Sequence, residues 1–124
     1  MTTMLEYFGN ELTIEPLSTK RAVKDMIIDK GDFWEKHDAI HPYLVSDVEE
    51  HPEHEHLVTP EEAEELNEAD LCIQCGACHY ACPVVEVNED YFGPAAFAKA
   101  YRFEADVRDE AHTKRLLELH EEKQ

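Results

Sequence analysis

Residues 72–83 read Cys72-Ile73-Gln74-Cys75-Gly76-Ala77-Cys78-His79-Tyr80-Ala81-Cys82-Pro83, the pattern C-x2-C-x2-C-x3-C-P. Among short motifs this spacing is highly specific for iron–sulfur chemistry. Thiolates at i, i+3 and i+6 wrap one iron–sulfur cube only if the chain curls tightly around it. Gly76 has no Cβ, so the backbone can approach the inorganic sulfides and its N–H groups can stabilise a negative cluster. Pro83 fixes the chain direction after the fourth thiolate. Cys72, Cys75, Cys78 and Cys82 are therefore the candidate ligands, and a [4Fe–4S] cluster is the candidate cofactor. Structural zinc usually takes two ligand pairs a dozen or more residues apart, and a thioredoxin-type C-x-x-C needs a βαβ context. Inert buried thiols have no reason to keep this spacing.

The flanks of the motif read as helices. Thr59-Pro60-Glu61-Glu62 combines an N-cap threonine, a proline at the first helical position and a glutamate three residues after the cap. It predicts a helix start, with Ala63 and Leu66 facing inward. After 84–87 and a polar turn, Gly93-Pro94 opens another helix, with Ala96, Phe97, Ala100, Tyr101 and Phe103 as its packed face. Asp109 or Thr113 caps a last helix with Leu116, Leu117 and His120 inward. Upstream, Val23, Met26 and Ile27 at i, i+3, i+4 predict an amphipathic helix ending near Lys30-Gly31. Asp32 then caps a short helix that places Phe33 and Trp34 in the core, with His37 beside them. Residues 12–17, LTIEPL, alternate and end in Pro16 and Leu17, which predicts a short strand after a turn at 7–10. The expected fold class is mainly α, an alpha-helical ferredoxin-like domain with a short N-terminal strand or arm.

A chain of 124 residues holds one domain. Eleven basic residues against 29 acidic ones leave a net charge of −18, which repels phosphate backbones and argues against nucleic acid as a partner. No apolar run approaches the roughly 20 residues that span a bilayer, and the N-terminus lacks the pattern of a secretory signal. A reducing, cytoplasmic-side location follows, where four cysteines in eleven residues read as metal ligands rather than disulfides. Between Lys36 and Lys99 there are fifteen acids and no Lys or Arg. Such a run commonly faces water; around a redox centre it also disfavours an added electron. His51, His54 and His56 lie among acids and read as solvated loop, with no metal assigned.

The string Cys72-Ile-Gln-Cys75-Gly-Ala-Cys78 … Cys82-Pro83 … Gly93-Pro94-Ala95 … Ala100-Tyr101-Arg102-Phe103 … Asp106-Val-Arg108-Asp109 resembles the helical C-terminal domain of the succinate dehydrogenase/fumarate reductase iron–sulfur subunit. Ile14-Glu15-Pro16-Leu17, Val23-Lys24-Asp25-Met26-Ile27-Ile28-Asp29, Phe33-Trp34 and Pro42-Tyr43-Leu44 continue the match, from about Leu12 to about Leu117. The resemblance implies an electron-transfer subunit that does no substrate chemistry of its own. It relays electrons between a flavoprotein subunit and a quinone or other acceptor, peripheral on the inner membrane face through a membrane-anchor or quinone-reactive subunit. In that family an N-terminal plant-type ferredoxin domain holds a [2Fe–2S] centre, and a second cysteine group serves a [3Fe–4S] centre.

Neither of those further cysteine groups is in this sequence, so both centres require segments outside it. Residues 1–17 accordingly read as the tail of the first domain or as an extended arm, and 18–124 as the helical cluster domain truncated at its C-terminus. In two-cluster chains the fourth cysteine of such a motif ligates the other cluster, so Cys82 either closes the cube or serves a second centre. Val85, Glu86 and Val87 stand where family members often carry a tryptophan near the quinone. His79 and Tyr80 read as side chains packed beside the cluster, with a proton relay as the sharper role. Two other readings share the cysteines: an adaptor subunit of heterodisulfide-reductase or glycolate-oxidase type, and a non-redox zinc-binding interaction module.

Overall fold

The computed structural model describes residues 9–18, 20–46 and 55–121. It is mainly helical with one small sheet, in the order β1 (Ala22–Lys24), β2 (Ile27–Ile28), α1 (Gly31–Ala39), α2 (Pro60–Asp70), α3 (Ala77–Tyr80), α4 (Pro83–Val87), α5 (Pro94–Glu104) and α6 (His112–Glu121). Residues 1–30 and 31–124 form two compact units.

In the first unit the expected helix at 18–30 is an antiparallel hairpin. Ala22 lies opposite Ile28 and Lys24 opposite Ile27, and the amide of Asp29 donates to the carbonyl of Arg21 at 2.8 Å. Asp25 takes φ +51°, a left-handed value that aspartate tolerates in turns, and it reverses the chain. Val23, Met26 and Ile27, the supposed helical stripe, are all exposed. β-Branched residues around a tight turn favour strands over a helix. The short strand is thus at 22–28, while 12–17 is irregular and, with its apolar side chains exposed, has nothing to alternate against.

In the second unit α5 is the hub, packed against α1, α2, α3 and α6. Ala95, Ala96 and Ala100 form its buried stripe, and such small side chains let neighbouring helices approach closely. Ile40, Phe92, Ala96 and Ala100 make the core, joined by Ala39, Phe97 and Leu119. Helix α2 starts as its sequence predicts. The Thr59 hydroxyl accepts from the Glu62 amide at 3.3 Å, and Glu62 accepts from the Thr59 amide at 2.8 Å. Leu66 is buried but Ala63 is exposed. Likewise Phe33 is buried while Trp34 is 42% exposed, and Tyr101 is 51% exposed rather than packed.

The last helix forms where expected, but its buried face differs from expectation. Leu116, Leu117 and His120 are exposed, and the buried position belongs to Arg115, 2% exposed. Its guanidinium forks onto Asp109 at 2.9 and 3.0 Å and donates to the Tyr43 carbonyl at 3.2 Å. Asp109 also accepts from the amides of Val45 at 3.1 Å and Ala111 at 2.9 Å, so one carboxylate joins the 43–45 loop to the start of α6. Asp106 is fully buried. It accepts from Arg108 Nε and an Arg108 terminal nitrogen at 2.7 Å each, from the Arg108 amide at 3.1 Å, and from Arg102.

Both carboxylates sit below the ordinary Asp value of 3.8. For Asp106 the chief cause is the Arg108 side chain, with burial opposing and Arg102 assisting. For Asp109 burial pushes upward but is outweighed by hydrogen bonds from Arg115 and from the Val45 and Ala111 amides. Below the ordinary value the unfolded chain therefore binds protons that the folded chain refuses. The stability these groups contribute is complete above about pH 4 and is lost as pH falls toward their depressed folded values. Urea midpoints between pH 7 and pH 2.5 should hold steady for this contribution to about pH 4 and then fall. A midpoint that rises below pH 4 contradicts the assignment.

Candidate functional site

The cysteine segment runs from the end of α2, across α3, to the start of α4. Cys72 follows Leu71, the C-cap of α2, and is half-buried; Cys75 and Cys78 are exposed; Cys82 is half-buried as the N-cap of α4. None of the four is in a disulfide. Pro83 sits at the first position of α4, where its missing N–H costs nothing, so the fourth cysteine is set at a helix entrance.

Two left-handed residues bracket Cys75: Gln74 at φ +55° and the buried Gly76 at φ +85°, ψ 0°. Left-handed residues set among right-handed ones turn successive N–H groups toward one side and form anion-binding concavities. That backbone, with four thiolate donors and no Cβ at Gly76, fits a negatively charged iron–sulfur cluster. Among the described residues no three His, Cys, Asp or Glu side chains converge on a point where one metal ion would sit. A cube differs in demand, because each thiolate binds its own iron.

Helix α1 holds the segment from behind. His79 is 1% exposed, and its Nε2–H donates to Asp32 Oδ2 at 3.2 Å. The Tyr80 hydroxyl donates to the other Asp32 oxygen at 3.3 Å. Asp32 lies inside the first turn of α1, so it serves the cysteine segment in place of the capping role its position suggested. The His79 ring stands edge-on to Phe33, centroids 5.5 Å apart at 87°. His79 is thus a packed, paired side chain beside Cys78. Farther back in the segment, Gln74 Nε2 lies 2.6 Å from His37 Nε2 on α1.

Gly93, at the mouth of α5, lies against the same imidazole. A Cβ there would fall 2.5 Å from His79 Nδ1 and 3.2 Å from Val85 Cγ2. Val85 is buried, while Glu86 and Val87 are exposed, so the two positions after the buried valine face outward from α4. On the other flank Arg102 Nε donates to Asp70 at 2.8 Å, two residues before Cys72, and the same guanidinium reaches Asp106. The segment is therefore tied to α1 at its middle and to α5 at both flanks. His56 is exposed, and His51 and His54 lie outside the described residues; of the turn expected at 7–10, residues 7–8 also lie outside them, while 9–10 form a turn with Gly9 at φ +65°.

Sequence reasoning found the four cysteines, Gly76 and Pro83 but missed Asp32, His37, Gln74 and Arg115 as parts of the scaffold. The Asp32 and His37 pairings span 37 to 48 residues, beyond the reach of local signals, and Arg115 takes a backbone partner 72 residues away.

The 4Fe-4S binding domain family matches residues 68–85. The chain is 34% identical to the fumarate reductase iron-sulfur subunit of Haemophilus influenzae, over 92% of this chain and 49% of that protein. It is 33% identical to the corresponding subunit of Mycobacterium tuberculosis, over 88% and 44%. It is 36% identical to the succinate dehydrogenase iron-sulfur subunit of Coxiella burnetii, over 92% and 48%. The chain spans about half the length of these curated relatives. The similarity read from GPA…AYRF…D-x-RD therefore extends along about nine-tenths of the chain. No helix among the described residues is long and apolar enough to cross a membrane.

Proposed function

We propose that this chain is an electron-transfer segment of an iron–sulfur subunit of the succinate dehydrogenase/fumarate reductase type. Cys72, Cys75, Cys78 and Cys82 are its cluster ligands. The observation that carries the reading is the C-x2-C-x2-C-x3-C-P segment itself, bent by left-handed residues on both sides of Cys75 and set in a helical chain 34% identical in sequence to one such subunit. A bound [4Fe–4S] cluster supplies one chemistry, the uptake and release of single electrons. The protein supplies position and field. Gly76 gives the backbone its close approach, Asp32 anchors the 79–80 end through His79 and Tyr80, and the uninterrupted acids of 37–98 weigh against the reduced, more negative state.

Four thiols suffice for one cube, so Cys82 closes it here unless a second cysteine group accompanies the chain. [2Fe–2S] and [3Fe–4S] centres would need thiolates beyond these four. The partners on this reading are a flavoprotein subunit and a membrane-anchor or quinone-reactive subunit, with the chain peripheral to the inner membrane face. On this reading residues 1–17 act as an arm or the tail of a preceding domain, and the cluster domain lies within 18–124, with all four cysteines in the unit 31–124.

The reading is tested by anaerobic reconstitution with ferrous iron and sulfide. The chain should take on broad visible thiolate-to-iron absorption that dithionite bleaches and mild reoxidation restores. Absorption that ignores the reductant, or a protein that stays colourless, contradicts it.

A further inference from the structure

Gln74 is the non-glycine residue of the cysteine segment with a left-handed backbone, a conformation few such residues adopt. Its backbone turn lies between Cys72 and Cys75, so it sets how the first two thiolates face each other. What holds it is 37 residues away. The Gln74 side-chain Nε2 approaches His37 Nε2 at 2.6 Å, and an amide nitrogen has no lone pair to offer, so the amide donates and the imidazole accepts. That leaves the ring proton on His37 Nδ1, which faces Asp38 Oδ1 at 3.4 Å. The ring is 9% exposed, stacked on Phe33 with centroids 6.3 Å apart and edge-on to Trp34 at 5.5 Å. A side chain packed on two aromatic faces has little freedom to follow the loop, so the loop must follow it.

We propose that His37 is a positioning residue for the cluster: by accepting the Gln74 amide it holds the left-handed turn that presents Cys72 and Cys75 to one centre. This rests on the cluster assignment above. It adds to that assignment a residue outside the motif that tunes the site without touching it. Direct hydrogen-bond partners of metal ligands commonly change metal retention by about 10–100-fold when lost; His37 acts one step farther out, through Gln74, so the low end applies.

The test uses three variants of the full chain. His37→Phe keeps the ring and its packing but offers no acceptor, His37→Gln keeps an acceptor, and Gln74→Leu removes the donor. In the metal-free wild-type chain, nitrogen-15 NMR of the imidazole should show a neutral ring protonated on Nδ1, with the Nε2 signal shifted in Gln74→Leu. In the reconstituted chain, His37→Phe should lose its cluster to a chelator about tenfold faster and show a displaced midpoint potential, while the metal-free thermal midpoint stays near wild type. His37→Gln should recover most of the lifetime. The double variant His37→Phe/Gln74→Leu should be no worse than either single one, because the two remove one bond. Unchanged lifetime and potential in His37→Phe, additive losses in the double variant, or an Nε2-protonated ring indifferent to Gln74→Leu would overturn the proposal. A wild-type chain that takes up no iron fails the cluster assignment instead, and the NMR arm reads the hydrogen bond apart from it.

Discussion

Replacing Asp106 with alanine should destabilise the fold by about 3 kcal/mol, near the lower end of the cost of removing one partner from a buried ion pair. Asp106 is fully buried and accepts from Arg102 and Arg108, whose side chains are 15% and 33% exposed. Removing the carboxylate takes from Arg108 its carboxylate partner and leaves Arg102 with Asp70 alone. The partial exposure of both arginines lets water recover some of that loss, which is why the low end applies. Against a typical total of about 5–15 kcal/mol, this is a large fraction. Asp106→Asn should cost less, since an amide oxygen still accepts from the Arg108 backbone. Asp70→Ala is the control: its pair with Arg102 is half-exposed, and such pairs contribute about 0–1 kcal/mol. Urea denaturation at pH 7 reads all three; equal midpoints for Asp106→Ala and Asp70→Ala would contradict the buried-hub assignment.

The second large effect is at Gly93. Its backbone, φ +89° and ψ 161°, lies in a region that essentially glycine alone occupies, worth roughly 1–3 kcal/mol against any other residue. Alanine there also drives its Cβ to 2.5 Å from a fully buried imidazole that is fixed by Asp32 and Phe33. Overpacking of that kind costs a further 1–3 kcal/mol or so. Gly93→Ala should therefore lose about 2–6 kcal/mol in all. Because the displaced ring is next to Cys78, cluster retention should fall with it. The two causes separate in the double variant Gly93→Ala/His79→Ala, which relieves the clash but not the backbone strain. Measured against His79→Ala, adding Gly93→Ala should then cost clearly less than it does in the wild type. An identical cost in both backgrounds would remove the steric part.

What the sequence made legible was what it encodes locally. The capping box at Thr59, the proline entrances at Pro60 and Pro94 and the cysteine spacing each fit within a few residues, and each appears where it was read. The hairpin at 22–28 was misread because three apolar residues at 23, 26 and 27 suit a helical stripe as well as two short strands. The turn through Asp25 decides between them. Leu116 and Leu117 were assigned inward because leucine ordinarily takes the buried seat on a helix. Here Arg115 takes it, since Asp109, six residues earlier, and the Tyr43 carbonyl, 72 residues earlier, supply the partners a buried guanidinium requires. The same holds at the site: the thiolates are plain in the sequence, but Asp32 and His37 reach the residues between them, His79, Tyr80 and Gln74, only after α1 packs behind the motif.

The most direct test of the cluster assignment is a count of iron and acid-labile sulfide in the reconstituted chain. About four of each per chain, falling sharply when Cys75 is replaced by serine, is the predicted result. Zinc at about one per chain, with negligible iron and sulfide, would contradict it.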